Sequence, residues 1–135
     1  MIVAAHQHRK LRFPHKETFR AVRHVVAGEK RKNASVSIVF TDDRFIKNMN
    51  KRYLRHDRVT DVIAFPLPDG PGVDGEVFVN LDQARRQARD YGVTFQTEVK
   101  RLVIHGTLHL LGYRDSTSSQ KARMRRREDH YLARL

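Results

Sequence analysis

The sequence contains no cysteine, little proline or glycine, and no long apolar run. Without cysteine the chain can form no disulfide and can offer no thiolate to a metal ion. Only 4 Pro and 7 Gly occur beside 39% hydrophobic residues, a balance typical of a foldable globular chain rather than a disordered one. No run is long enough to span a bilayer, and the N-terminus has no secretory signal pattern, so we expect a cytoplasmic protein with no membrane partner.

Negative charge is also scarce. The 135 residues include 27 Lys and Arg but only 15 Asp and Glu, which gives a formal net charge of +12. A field of that sign favours polyanions, of which RNA is the simplest. A merely soluble basic surface, or one attracted to anionic lipid, would have the same composition. Charge alone therefore does not identify the partner.

The pattern of apolar residues predicts strands and helices in one domain spanning residues 1–135. Strands are predicted within 2–13 and over 34–40, 62–65 and 75–80. Helices are predicted over 15–27, after Thr41 as N-cap to about 53, and over 82–91 (with Tyr91 facing inward), 95–111 and 117–132. We expect an α+β fold with a mixed β-sheet of about four strands and helices packed on it.

The most informative stretch is HGTLHLLGYRD, from His105 to Asp115. On a helix His105 and His109 project from one face, close enough to bind one ion. Gly112 can end that helix, since it adopts left-handed φ without a Cβ penalty, and a chain turning back there can bring Asp115 to the same point. Two imidazoles and a carboxylate form a three-ligand set that leaves a fourth position for water.

Two other interpretations of this stretch compete with a hydrolytic metal site. A His pair four residues apart is, by itself, more often structural than ligating, although burying it without a shared partner would be costly. The spacing is also that of metzincin proteases, but those enzymes place Glu, the general base, directly after the first His. Here that position is Gly106, so a peptidase loses its main support.

The stretch from His105 to Tyr113 resembles the motif of the YbeY family, the bacterial metal-dependent endoribonucleases of ribosomal RNA maturation. That motif usually ends in a third His, and Asp115 stands at the corresponding position. The resemblance implies one Zn²⁺ held by His105, His109 and Asp115. A set of two His and one carboxylate also suits Fe(II), and the sequence leaves nickel and manganese open.

A second stretch, residues 50–66, resembles the family pattern of Tyr, a basic loop and a short strand. The family commonly carries an Arg directly after that Tyr, implicated in the activity. Here Leu54 follows Tyr53, and Arg55 comes one residue later. Arg55 is therefore the candidate catalytic residue that would neutralise charge on the phosphate, although an ordinary loop charge is an equally good interpretation.

The expected function is a single-strand endoribonuclease that matures the 3′ end of small-subunit rRNA and takes part in ribosome quality control. The resemblance implies rRNA, the small ribosomal subunit and ribosome-associated proteins as partners. Two alternatives stay open: a non-catalytic ribosome-assembly factor with a structural metal, and, with less support, a metallopeptidase. A structural metal would have four protein ligands.

Overall fold

The chain alternates strands and helices at first and ends in three consecutive helices. A computed structural model describes residues 1–54, 59–67 and 72–135. The strands are β1 (Ile2–His6), β2 (Ala34–Thr41), β3 (Val62–Pro66) and β4 (Val73–Asn80). The helices are α1 (His15–Gly28), α2 (Asp43–Met49), α3 (Leu81–Tyr91), α4 (Phe95–Leu110) and α5 (Ser118–Leu132). A π-helical turn, Asn50–Leu54, follows α2.

The strands form one mixed sheet in the order β1-β2-β4-β3. β1 and β4 both pair with β2 in parallel, whereas β3 pairs with β4 antiparallel. The predicted α+β fold with a four-stranded mixed sheet is therefore confirmed. The short apolar sequence of β3 is typical of a buried strand, but only Ile63 within it is fully buried, because β3 lies at the edge of the sheet.

One face of the sheet carries the main core. Val36, Ile38 and Phe40 of β2 alternate with smaller or polar residues and pack, with Val77 and Val79 of β4, against α1, α3 and α4. α4 also contacts β3, β4 and α5, so it is surrounded by protein on most sides, as its apolar sequence predicts. In the part of the chain that is described, no helix is both long and apolar enough to cross a membrane.

Local details differ from the sequence predictions at three points. The N-cap of α2 is Asp42, whose side chain accepts a hydrogen bond from the backbone N–H of Phe45. Thr41 instead remains in β2, where its hydroxyl donates to the carbonyl of Val79. α2 ends at Met49 and continues as the π-helical turn. Tyr91 does not face inward, since it is 59% exposed at the end of α3.

Candidate metal centre

The last turn of α4 brings the two histidines of the HGTLHLLGYRD stretch together. Their Nε2 atoms are 3.0 Å apart. The helix ends as predicted around Gly112, which has φ +99°, and the next backbone N–H, that of Tyr113, returns to the carbonyl of Leu108. The reversed chain carries Asp115 back to the helix, where its Oδ2 lies 3.4 Å from each Nε2.

The spacing of these three atoms suits a small divalent ion. Zinc binds imidazole nitrogen and carboxylate oxygen at about 2.0–2.2 Å, so adjacent ligand atoms of a tetrahedral site lie about 3.3 Å apart. The observed separations of 3.0, 3.4 and 3.4 Å are close to that value. Among the described residues this group of three is the one that could hold an ion, and a set of three is what a catalytic rather than a structural site uses.

The outer nitrogens of both rings determine which atom faces the centre. His105 Nδ1 lies 2.8 Å from Oε2 of Glu128, and His109 Nδ1 lies 2.9 Å from the carbonyl oxygen of Tyr113. An ionised carboxylate and a carbonyl only accept, so each Nδ1 carries the proton and each neutral ring presents its Nε2 lone pair to the other. Two lone pairs and the Asp115 carboxylate then converge on one point, which favours a cation there.

The electrostatics of His105 agree with that geometry. Burial lowers the pKa of the His105 imidazole, but the hydrogen bond and negative charge of Glu128, with further negative charge from Asp61 and Asp115, outweigh burial and raise it. The same carboxylates that hold a proton on His105 would attract a metal ion in its place. Glu128 thus both orients the ring and supplies charge, as outer-sphere carboxylates commonly do.

Glu128 was missed by the sequence analysis, although a signal for it exists. It lies on α5 with Met124 and Tyr131, at helical spacing, and all three are buried. An acidic residue on the apolar face of a predicted helix is unusual enough to demand a partner. The sequence indicates the need for a partner, but not that the partner is His105.

Tyr113, whose carbonyl orients His109, is itself held by its side chain. Its hydroxyl donates to Glu29 at the end of α1, with an O–O distance of 2.6 Å. Glu29 also accepts from Arg127 and Tyr131 of α5. Burial would raise the pKa of Glu29, but these hydrogen bonds from Tyr113, Tyr131 and Arg127 outweigh it and lower the pKa. Glu29 therefore joins α1, α5 and the turn after α4.

Two cavities adjoin the three candidate ligands. One, of about 510 Å³, is lined by His105 and Asp115, with Lys121 and Arg125 among its cations. The other, of about 420 Å³, is lined by His109 together with residues of β3 and the π-helical turn. The candidate centre therefore lies between two hollows, an arrangement that can hold an extended ligand on both sides of a reacting atom.

Gly106 faces the sheet rather than the metal centre. A Cβ placed on it would lie 2.3 Å from Cγ1 of Val77 in β4. The position that carries the general base of a metzincin therefore has no room for a glutamate in this fold. This contact weakens the peptidase alternative further.

The other candidate site residue, Arg55, lies outside the described residues. Its neighbour Leu54 does line the hollow beside His109. The prediction for Arg55 stays a prediction.

Comparison with known proteins gives consistent matches along the chain. A family model described as Endoribonuclease YbeY matches residues 3–135. A protein of that name from Chloroherpeton thalassium is 38% identical over 126 residues, covering 93% of this chain and 89% of the relative. Another, from Chlorobaculum tepidum, is 42% identical over 114 residues, covering 84% and 83%. A solution structure of a Thermotoga maritima protein aligns with a TM-score of 0.67 and 26% identity, covering 98% and 87%.

Proposed function

The chain belongs to the YbeY family of endoribonucleases, and from that membership we propose that it is a metal-dependent enzyme that cleaves single-stranded RNA. The observation that carries the proposal is the convergence of His105, His109 and Asp115 on one point, with both Nδ1 atoms held by acceptors. The net charge of +12 supports a polyanionic substrate.

In this proposal the three side chains hold one Zn²⁺, with iron, nickel or manganese as alternatives. A bound ion of this kind supplies acidification of a water molecule and polarisation of a phosphate oxygen. Glu128 and the Tyr113 carbonyl hold the imidazoles in the ligating tautomer. Lys121 and Arg125 are cations of the larger hollow that would contact RNA phosphates, although carboxylates also line it, among them Asp61 and Glu98.

Arg55 is proposed to stabilise negative charge on the scissile phosphate. Its place in the chain supports this, since it follows Leu54, which lines the hollow beside His109. An arginine suits the task because its guanidinium can contact two phosphate oxygens at once.

A more specific proposal is that the substrate is rRNA. We propose that the enzyme matures the 3′ end of small-subunit rRNA, acts in ribosome quality control, and works in the cytoplasm with the small subunit and ribosome-associated proteins. Support for this comes from the family resemblance and from the basic charge.

A non-catalytic assembly factor is the second candidate. Its structural metal would have four protein ligands, whereas the group among the described residues has three. The two candidates differ in whether loss of the metal abolishes RNA cleavage.

The test measures metal content and cleavage of single-stranded rRNA for the wild type, His109→Ala and His15→Ala. His15 is exposed at the start of α1, where it contacts His6 and Phe19, and serves as the matched histidine control. We expect about one ion per chain and cleavage for the wild type and the control, and loss of both for His109→Ala. Arg55→Ala should keep the ion and lose most of the cleavage.

Persistence of cleavage after the ion is lost would trace the activity to a contaminant and favour the assembly factor. Cleavage of peptides by the wild type would instead revive the peptidase alternative.

A further inference from the structure

Four aromatic rings form a continuous row on the sheet face opposite α4. The rings belong to Phe45 of α2, Phe78 of β4, Phe65 of β3 and Tyr53 of the π-helical turn; we call this row the aromatic ladder. Successive centroids lie 5.8, 5.9 and 6.2 Å apart along it. Each step is within the range of direct ring contact.

The register of the strands places the ladder on that face. A Cβ on Gly106 of α4 would meet Val62 and Val77, so those two side chains point toward α4. Side chains alternate along a strand. Phe65 and Phe78 are an odd number of residues from Val62 and Val77, so they point to the opposite face of the sheet.

The described residues cover the ladder only in part. Tyr53 is 60% exposed, and the three phenylalanines are only half-buried. Two hollows, of about 300 and 410 Å³, lie against the rings and share Met49, Tyr53 and Phe78 in their walls. Exposing aromatic rings to water is unfavourable in free energy, so exposed rings that line a hollow indicate a ligand-binding surface.

Charge identifies the kind of ligand. The segment from Asp43 to Leu54 carries four cations, Arg44, Lys47, Lys51 and Arg52, and a single acid, Asp43. That acid is paired with Arg86. The Arg52 guanidinium lies 5.9 Å from the Tyr53 ring centroid. Glu76 is the acid in the wall of the smaller hollow. Exposed rings on a predominantly basic segment suit a ligand with flat faces and a negative backbone, which describes single-stranded nucleic acid.

The ladder and the candidate metal centre lie on opposite sides of the edge strand β3. The hollow beside His109 is walled by Leu54 and by Ala64 and Pro66 of β3. Tyr53 and Phe65, the next residues along the same two elements, wall the smaller hollow of the ladder. The two surfaces therefore share β3 and the π-helical turn, which lie between them.

We propose that the aromatic ladder is a second RNA subsite, on which unpaired bases flanking the cleaved phosphate stack. The inference rests on the proposed function and deepens it, because stacking on rings requires bases free of a duplex and so supplies a preference for single strands. Tyr53, the most exposed ring, makes the main contact, and Arg52 holds the adjacent phosphate.

The test uses Tyr53→Trp in the full chain, which otherwise contains no Trp, so its fluorescence reports on this position alone. A chelator prevents cleavage during the titration. We expect quenching by a short single-stranded oligoadenylate, and little response to an RNA duplex of equal length or to inorganic polyphosphate, which has charge but no bases.

Affinities for the same oligoadenylate are then compared among variants checked for equal melting temperatures. Tyr53→Ala and Tyr53→Leu should bind it roughly 5- to 150-fold more weakly, the usual effect of removing one stacking partner. Tyr53→Phe, which keeps the ring, should bind like the wild type. Wild-type affinity in the Ala and Leu variants would overturn the inference and leave the ladder as a protein-binding surface. Equal quenching by polyphosphate would overturn it as well.

Cleavage by the metal-loaded wild type is measured separately. If the wild type cleaves RNA but the Tyr53 variants bind oligoadenylate as tightly as it does, this inference is wrong and the proposed function stands. If oligoadenylate quenches Tyr53→Trp and Tyr53→Ala binds it weakly, but the wild type does not cleave RNA, then the ladder binds RNA and the proposed function is wrong.

Discussion

Replacing Glu128 with Gln should weaken metal binding at His105 while leaving the fold intact. Glu128 is only 5% exposed, and its two oxygens contact two donors. Oε2 lies 2.8 Å from His105 Nδ1, and Oε1 lies 3.2 Å from Nη1 of Arg101. The substitution preserves size and shape, so it changes chemistry rather than packing.

The size of the expected loss in metal affinity follows from the two donors that Glu128 contacts. A glutamine amide offers one acceptor and one donor group, so either His105 or Arg101 must face an N–H, whichever way the amide turns. The negative charge that raises the basicity of the His105 ring is also lost. Loss of such an outer-sphere partner typically costs 10- to 100-fold in metal affinity, which corresponds to about 1.4–2.7 kcal/mol.

The assay is a zinc titration against a competing chelator at fixed pH. Asp129→Asn is the matched control, because Asp129 contacts the same Arg101 at 3.1 Å but is exposed and does not contact His105. We expect the control to stay within about twofold of the wild type, as surface ion pairs contribute little. Equal affinities for Glu128→Gln and the wild type, or an equal loss in Asp129→Asn, would refute the orienting role of Glu128.

Three further predictions concern stability. Gly106→Ala should lower the free energy of unfolding by about 1–3 kcal/mol through overpacking against Val77; a rise in melting temperature, as helix propensity alone would give, would contradict the close packing. Glu29→Gln should lose roughly 1.5–3 kcal/mol at neutral pH. Because the folded pKa of Glu29 lies below its ordinary 4.5, its contribution is present above that value and disappears as pH falls through the folded pKa; a deficit that does not change with pH in denaturant titrations would argue against it. Thr117→Ala breaks the capping box with Gln120 and should cost about 0.5–2 kcal/mol in urea unfolding, and an unchanged midpoint would show that the cap contributes nothing.

The candidate ligand group was predictable from the sequence because its geometry is local. Helical spacing fixes His105 relative to His109, and a glycine at a left-handed position reverses the chain within a few residues. The structure brings the predicted residues together for that reason. The sheet was likewise predictable, since residues of the buried face recur at every second position of β2 and β4, although Val39 and Phe78 add large apolar side chains to the other face.

The features that could not be predicted from the sequence depend on tertiary contacts. Nothing in the local pattern says that Glu128 meets His105, or that Glu29 holds Tyr113, because those partners are 23 and 84 residues apart in the chain. Two of the local differences have a similar origin. Tyr91 fits the apolar stripe of α3 but lies at the end of the helix, beyond the part that the core covers. Thr41 and Asp42 could each cap α2 by sequence, but Thr41 stays in β2, where its hydroxyl bonds to β4, and Asp42 caps the helix.

The closeness of the three ligands in sequence has a consequence for folding linkage. An ion stabilises a fold only by the difference between its affinities for the folded and the unfolded chain. His105, His109 and Asp115 stay near one another even in a denatured chain, so the unfolded protein competes for the ion. Part of the affinity that distinguishes the two states comes from Glu128 and from the Glu29–Tyr113 contact, which exist only after α1, α4 and α5 have packed. Metal loading should therefore raise the melting temperature less than the folded-state affinity suggests, and variants of the two distant glutamates should reduce that increase.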